Sequence, residues 1–301
     1  MSEPIFFDCP EGKMYDVMAG KNLIIDGLLD GKGFVRVVDV GPRMVPEGYT
    51  SEYLVISGAR CSFGLGLKTP KEDNALLSYL YKHQHSSPFE LANITFQIKC
   101  PKFVNVHILR HRTGKFNEFS QRYAEVPEED NYYNPLEFDN GIRKGTKLNK
   151  QSSETITDEV VKSEISESMR EANAHLDKLH ELYHKMIKQG LAKEIARSYL
   201  PMSEYTTMYV QFDLNNLTKF LTLRNSSYTQ EETKIYANAM ETLAKQFFPI
   251  TLDILQDRRL GFGLLQSEIS VLKGEKPIES ITSISEKKAL REKAESLGIK
   301  L

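Results

Sequence analysis

The alternation of apolar and polar positions predicts three strands. Residues 34–40 form a β-branched run between Gly33 and Gly41, which is typical of a strand bounded by turns. Residues 91–100 and 204–212 alternate apolar with polar side chains, so each predicts a strand with one buried face.

Apolar positions at helical spacing predict most of the remaining elements. The predicted helices are residues 51–62, 71–84, the segment from Pro101 to Arg110, 155–189, 217–225, one or two helices in 230–259, and 284–296 after a Ser283 N-cap. The longest, 155–189, carries one apolar stripe and ends before Gly190, a residue favoured just beyond a helix. The stripe fits a core or a subunit contact equally well. Because strands and helices are mixed without a regular βαβ rhythm, the pattern favours an α+β fold.

Composition divides the chain into three regions. Residues 1–33 are rich in Gly and Asp and are interpreted as an N-terminal extension, followed by a domain at 34–259 and a C-terminal extension at 260–301. Within the domain, residues 125–152 join an acidic run to a basic run, which indicates a surface insertion, solvated rather than functional.

Length and charge limit the class of protein. The 301 residues, 40% of them hydrophobic, suffice for one large domain or two small ones. The net charge of −2 argues against a general nucleic-acid binder, since any basic surface must be local. Three cysteines without a CxxC pair, no signal-peptide pattern and no long apolar run predict a soluble cytoplasmic protein with no nucleic-acid or membrane partner.

The richest candidate chemistry lies in residues 110–123, which hold three arginines, a histidine, a carboxylate, an amide and a hydroxyl. The apolar run 103–109 precedes this stretch and can anchor it, and Gly114 lets the backbone turn. Arginine forks bind phosphate through paired, charge-assisted hydrogen bonds. The stretch therefore suits an anionic ligand such as a nucleotide, although composition alone fits a solvated basic turn as well.

Two histidine pairs could suggest a metal site. His83 and His85 lie two residues apart, and His180 and His184 lie four apart on the long predicted helix. Neither pair is completed by nearby cysteines or carboxylates at zinc spacing. A polar loop and a solvated helix face are the favoured interpretations, and no metal is predicted.

The stretch 110–123 also resembles a known family. Its pattern of Arg-His-Arg, seven residues and then Ser is similar to the signature of the flavin-dependent thymidylate synthases. The matching positions are Arg110, His111, Arg112, Asn117, Glu118, Ser120 and Arg122. Lys115 departs, because the family usually has Ser there.

Further segments extend the resemblance over roughly residues 34–258. His85 and Ser87 match a His-x-(Ser/Thr)-Pro-Phe-Glu segment, Arg197 precedes a Leu-Pro pair, and Arg224 ends a Leu-x-x-Phe-Leu-x-Leu-Arg run. Other positions differ from the family: Asp213 and Asn215 replace Asn-x-Arg, Lys219 replaces Asn, Tyr228 replaces His, and His107 replaces Gln.

The resemblance implies a mixed sheet packed with helices and a homotetramer whose active sites are shared between subunits. It implies reductive methylation of dUMP to dTMP, with FAD as cofactor and with methylenetetrahydrofolate and NADPH as co-substrates. The implied FAD-binding residues are His85, Ser87, Arg110, His111, Arg112, Asn117 and Glu118. Three positions that differ from the family pattern are implied FAD-binding residues as well, namely Asp213, Asn215 and Lys219. The implied dUMP-binding residues are His107, Arg110, Glu118, Ser120, Gln121, Arg122, Arg197 and Arg224. Arg224 and Ser120 are the implied catalytic residues, with Arg224 stabilising negative charge on the uracil ring.

Two other functions stay open at this stage. The departures from the family pattern allow a flavin- or nucleotide-binding protein without turnover, and His83, His85 and His111 allow a metal-dependent hydrolase. A cysteine nucleophile is not expected, since Cys100-Pro101 reverses the Pro-Cys order of the flavin-free thymidylate synthases.

Overall fold

A five-stranded antiparallel sheet forms the centre of the computed structural model. The structure describes residues 6–9, 12–61, 66–128, 131–146, 153–226, 228–260, 264–281 and 283–301. The sheet has the order β3 (Ile24–Leu28), β4 (Gly33–Gly41), β6 (Asn93–Pro101), β10 (Tyr205–Asp213) and β7 (Lys115–Glu118). The three predicted strands are confirmed as β4, β6 and β10.

The expectation of a mixed sheet is wrong, because every pairing in this sheet is antiparallel. The physical reason lies in the sequence itself. β6 and β10 alternate buried with more exposed positions, the pattern of an antiparallel strand with one face towards the core. Parallel strands buried on both faces read instead as continuous apolar runs.

Most described helices lie close to their predicted positions, whereas Lys193–Ala196 and Gln266–Leu272 were not predicted. They are α1 (Tyr53–Arg60), α2 (Pro70–Lys82), α3 (Lys102–Leu109), α4 (Glu159–Lys188), α5 (Lys193–Ala196), α6 (Leu214–Arg224), α7 (Glu231–Ala244), α8 (Pro249–Leu260), α9 (Gln266–Leu272) and α10 (Ile284–Ser296). Phe220 of α6 and Tyr236 of α7 join Phe96 and Phe212 of the sheet in one fully buried core. No described helix combines the length and the apolar character needed to cross a membrane.

The described part of residues 1–33 packs onto this domain. β3 pairs with β4 at the edge of the central sheet. β1 (Phe6–Cys9) and β2 (Gly12–Asp16) form a second sheet with β5 (Met44–Pro46), so the N-terminal segment and the domain share two sheets.

The described part of residues 125–152 is not solvated throughout, contrary to the interpretation from composition. Val126, Tyr132 and Tyr133 are buried, and the Tyr132 hydroxyl donates to Asp177 Oδ1 of α4 at 2.9 Å. β8 (Arg143–Gly145) pairs with β9 (Ser153–Thr155), and Arg143 reaches the buried Glu232 of α7 at 2.6 Å. These aromatic and ionic contacts anchor the segment to α4 and α7.

The solvated helix face predicted for His180 and His184 is also wrong. Both side chains are buried, and each contacts a carboxylate from another part of the chain. His180 Nε2 lies 2.7 Å from Glu204 Oε2, and His184 Nδ1 lies 2.6 Å from Glu125 Oε1. In the apolar stripe on α4, Tyr183 is fully buried, whereas Ile165, Met169, Leu176, Leu179 and Met186 are only partly buried.

The C-terminal segment has a small core of its own, formed by Val271, Ile281 and Leu290. Ser283 caps α10 as predicted, since its hydroxyl accepts a hydrogen bond from the Glu286 amide at 3.3 Å. Lys293 of α10 pairs with Glu268 of α9 at 3.0 Å and joins the two helices.

Candidate active site

The arginine-rich stretch begins where α3 ends and returns the chain to the sheet as β7. The His111 amide donates to the Ile108 carbonyl at 3.1 Å, and the Gly114 amide donates to the His111 carbonyl at 2.9 Å. A Cβ at position 114 would come within 2.6 Å of Phe116 and 2.7 Å of Phe212, so the turn requires glycine. The sequence predicted a turn here and missed β7.

Arg224, at the C-terminal end of α6, is held by two groups of α3 and the turn after it. Its Nε donates to His111 Nε2 at 3.0 Å, and its Nη2 donates to the His107 carbonyl at 2.9 Å. Nη1 has no hydrogen-bonding partner in the described part of the chain. The guanidinium is therefore fixed in orientation with one donor nitrogen left for a ligand.

This geometry sets the protonation state of His111. A guanidinium only donates hydrogen bonds, so His111 Nε2 must present its lone pair, and the proton of the neutral ring lies on Nδ1. Burial and then the positive charge of Arg224 lower the pKa of His111 to about 4. The ring also packs edge-on against Phe220, with 4.8 Å between the ring centroids.

His107, one turn earlier on α3, contacts α7. Its Nδ1 lies 2.8 Å from Oγ1 of the fully buried Thr233. Burial, then Arg224 and Arg110, lower the pKa of His107, while Glu232 opposes them. His107, His111 and Arg224 therefore form one group, named here the α3–α6 cluster.

A second group of polar side chains surrounds the residues that follow β7. Lys102 Nζ donates to the side-chain oxygen of the buried Gln121. Burial lowers the pKa of Lys102, Glu204 and Glu118 oppose this effect, and Arg197 adds to it. Arg197 thus lies near enough to Lys102 for their charges to interact. Lys102 belongs to no motif, and sequence reasoning missed it.

Two further contacts hold this second group together. Arg122 pairs with Glu194 of α5 at 3.3 Å, which ties the segment after β7 to the helix that precedes Arg197. The buried Thr206 of β10 donates to Glu118 Oε1 at 2.9 Å. Lys102, Gln121, Arg122, Glu194, Arg197, Glu118 and Thr206 are named here the β7–α5 cluster. Neither Glu194 nor Thr206 was identified from the sequence.

Several residues implied by the resemblance have side chains that are free to meet a ligand. Arg110, Arg112 and Asn117 are exposed, and the described residues offer no hydrogen-bonding partner to their side chains. Ser120 is half-buried, and its carbonyl accepts from the amides of Tyr123 and Ala124, both at 3.1 Å.

Asp213 and Asn215, two of the other implied FAD residues, lie at the opposite end of α6 from Arg224, and Lys219 lies exposed in the middle of α6. Asn215 Nδ2 donates to Glu90 Oε1 at 3.3 Å, which joins α6 to the short 3₁₀ helix Ser87–Glu90 that follows His85. Asp213 caps α6 by accepting from the Asn216 amide at 2.8 Å. Eleven residues of α6 separate these groups from the α3–α6 cluster by about 16 Å.

Within the described ranges, no cluster of three or more His, Cys, Asp or Glu side chains has the arrangement of a metal site. His83 Nδ1 contacts the Tyr79 carbonyl at 2.9 Å, and His111 Nε2 is occupied by Arg224. Two of the three histidines of the hydrolase alternative, His83 and His111, are thus committed to separate contacts.

Cys100 lies in the core rather than in a cleft. It is fully buried on β6, and burial and the nearby Glu118 raise the pKa of its thiol well above the usual range. A nucleophilic cysteine needs an exposed thiolate, so this environment does not suit one.

The sequence that carries these polar groups matches a family of known proteins. Residues 47–250 match the family model described as "Thymidylate synthase complementing protein". A flavin-dependent thymidylate synthase of Dictyostelium discoideum is 34% identical over 290 residues, which cover 93% of this chain and 92% of that protein. The chain belongs to the flavin-dependent thymidylate synthase family. It is therefore an enzyme of the thymidylate synthase class.

A second relative is similar in sequence, and a solved structure is similar in fold. The flavin-dependent thymidylate synthase of Thermus thermophilus is 36% identical over 245 residues, or 81% of this chain and 83% of that one. The UMP/dUMP methylase PolB from Streptomyces cacaoi, solved with 5-Br dUMP, superposes with a TM-score of 0.62 at 28% identity. That match covers 75% of this chain and 95% of PolB, so the α+β fold is common to both proteins.

Proposed function

We propose that this enzyme methylates dUMP reductively to dTMP, with methylenetetrahydrofolate as the carbon donor and NADPH as the reductant. The observation that carries the proposal is Arg224, whose guanidinium is fixed by His111 and by the His107 carbonyl with Nη1 left free. A fixed cation beside a uracil ring stabilises negative charge on the imide and makes C5 a better nucleophile. PolB is a UMP/dUMP methylase, and its likeness to this chain supports a pyrimidine nucleotide here.

The β7–α5 cluster supplies the groups that dUMP requires elsewhere. Arg197, Arg122 and Lys102 provide cationic donors for the phosphate, for which charge-assisted hydrogen bonds are the strongest available contacts. Gln121 and Glu118, fixed by Lys102 and Thr206, offer an amide and a carboxylate to the nucleoside. Ser120 lies between them in sequence and is proposed to contact the base near the reacting carbon.

The residues around His111 fit the acceptor-rich phosphates of FAD. Arg110 and Arg112 are exposed guanidinium groups without a partner among the described residues, and neutral His111 offers its Nδ1–H. All three groups are donors, which is what a diphosphate oxygen requires. When bound, the flavin would pass the hydride from NADPH to the methylene group. Asn117 and Glu118 complete this proposed FAD surface.

The same geometry supports a homotetramer with shared active sites. Asp213 at the start of α6 and His111, which contacts Arg224 at its end, belong to two sets of proposed FAD residues and lie about 16 Å apart along the helix. Residues from neighbouring subunits could complete each set. Large apolar side chains around the β7–α5 cluster also favour a subunit contact, since Tyr123, Tyr199 and Met202 are 75%, 54% and 56% exposed.

The departures from the family pattern do not favour a protein without turnover. Lys115 donates to Gln211 at 3.0 Å, Asp213 caps α6, and Asn215 contacts Glu90. Lys115, Asp213 and Asn215 thus each have a local partner, and none of these three contacts involves Arg224.

The test is formation of dTMP from dUMP with NADPH and methylenetetrahydrofolate, with and without added FAD. Arg224→Gln should lower turnover by about 10²-fold or more, as removal of a preorganised charge does. Bound flavin should remain at the wild-type level. Arg170→Gln, an exposed arginine of α4 paired with Glu167, is the matched control and should retain turnover. Normal turnover by Arg224→Gln, or no dTMP from the wild type, would overturn the proposal.

A further inference from the structure

His107 is the residue of the α3–α6 cluster whose role the family pattern leaves undefined, because the family usually has Gln there. A glutamine amide carries both donors and an acceptor, whereas an imidazole presents one nitrogen on each side. One nitrogen of His107 is already engaged, since Nδ1 lies 2.8 Å from Thr233 Oγ1. What His107 offers a ligand through Nε2 therefore depends on Thr233.

The burial of Thr233 decides the direction of this hydrogen bond. Thr233 is fully buried in the first turn of α7, and His107 is the only partner of its hydroxyl in the described part of the chain. If the hydroxyl accepted from Nδ1–H, its own hydrogen would be buried without a partner. Unpaired buried donors are rarer and costlier than under-used acceptor lone pairs. The hydroxyl therefore donates to Nδ1, and the proton of the neutral ring lies on Nε2.

Burial and two nearby cations favour the neutral ring. Burial, then Arg224 and Arg110, lower the pKa of His107, while Glu232 acts in the opposite direction. Nε2 has no hydrogen-bonding partner among the described residues. It is not one of the buried atoms that lack a hydrogen bond, so it is accessible to solvent. The nitrogens left free, Nε2 of His107 and Nη1 of Arg224, are then both donors only.

We propose that Thr233 is a positioning residue that fixes His107 with its single N–H on Nε2, so that the site selects a uracil over a cytosine base. The proposal rests on the proposed function, in which dUMP lies against Arg224. Uracil presents a carbonyl oxygen at C4, whereas cytosine presents an amino group there. The two donor nitrogens can both bind the C4 carbonyl oxygen of uracil. The amino group of cytosine would instead face another donor without an acceptor, and a polar site discriminates strongly against such a base.

The first test reads the tautomer directly. Long-range ¹H–¹⁵N correlation of histidine-labelled, FAD-loaded enzyme at neutral pH, assigned with His107→Gln, should show the proton of His107 on Nε2. Thr233→Ser, which keeps the hydroxyl, should give the same pattern. Thr233→Val, which keeps the shape but removes the donor, should shift the ring towards the Nδ1–H form. A proton on Nδ1 in the wild type would overturn the proposal even if every Thr233 variant failed to fold.

The second test measures base selection by calorimetric titration of the same enzyme with dUMP and dCMP. Thr233→Val should reduce the preference for dUMP over dCMP by about 10-fold or more, and Thr233→Ser should preserve it. Thr242→Val, on the exposed face of α7, is the matched control and should behave as the wild type. An unchanged preference in Thr233→Val refutes the role of Thr233. Absence of dTMP formation with an Nε2–H tautomer would instead refute the proposed function.

Discussion

The contact between Arg224 and His111 leads to a testable prediction about the pH at which His111 is protonated. Because Arg224 donates to His111 Nε2, the ring must be neutral wherever the guanidinium is held in place. Burial is the larger cause of the low pKa of His111, about 4, and the charge of Arg224 is the smaller one. Arg224→Gln should therefore raise the pKa of His111 but leave it below the ordinary 6.5.

The stability effect has a definite sign. The unfolded chain takes up a proton on His111 below about pH 6.5, whereas the folded chain does so only near pH 4. Protonation thus favours the unfolded state, and stability is lost as the pH falls from about 6.5 to about 4. The full difference in pKa corresponds to about 3 kcal/mol. Since the ring is partly exposed, solvent screening reduces the expected loss to about 1–2 kcal/mol.

The assay is NMR titration of ¹³C-labelled histidine, with His111→Gln to assign the signal among the seven histidines. Arg112→Gln removes a cation from the next residue and is the matched control. It should move the pKa of His111 less than Arg224→Gln does. Urea unfolding at pH 7.5 and pH 4.5 should show a smaller loss of stability in His111→Gln than in the wild type. A wild-type His111 that titrates near pH 6.5 would refute the reasoning, because a protonated ring cannot accept from Arg224.

Two other predictions concern the nucleophile and the assembly. Replacing all three cysteines by Ala or Ser should leave turnover per bound flavin near the wild-type value, because the Cys100 thiol is buried and stays protonated. Loss of turnover in Cys100→Ser alone, with FAD and dUMP still bound, would contradict this prediction. Mixing inactive Ser87→Ala with inactive Arg110→Ala should restore activity through mixed oligomers if subunits share sites, and a fully active monomer by light scattering would exclude sharing.

The elements that the sequence predicted are those whose pattern is local. β6 and β10 could be predicted because their alternation spans nine residues each, which is long enough to stand out from chance. β7 could not, since Phe116 is its one apolar residue among four. Its strand conformation comes from pairing with β10, which lies some 90 residues later in the chain and leaves no local signal.

The candidate site could be predicted as a set of residues but not as a network. Motifs placed His111 and Arg224 in the same site, although 113 residues separate them in the chain. That the two side chains bind each other, and thereby fix a neutral imidazole, depends on how α3 and α6 pack. The buried His180 and His184 were misjudged for the same reason, because their carboxylate partners are 24 and 59 residues away.

The positions of the cation and the amide on α6 differ between this chain and the family pattern. The family often has Asn-x-Arg at positions 213–215 and Asn at 219, whereas this chain has Asn215 and Lys219. Positions four apart lie on one face of a helix, so the cation and the amide have exchanged places one turn apart, about 6 Å along the axis. Asn215 is buried against Glu90, where an arginine would need more space, and Lys219 is exposed. Asn215 thus contacts the segment after His85 through an uncharged amide, and Lys219 presents its charge to solvent one turn further along α6.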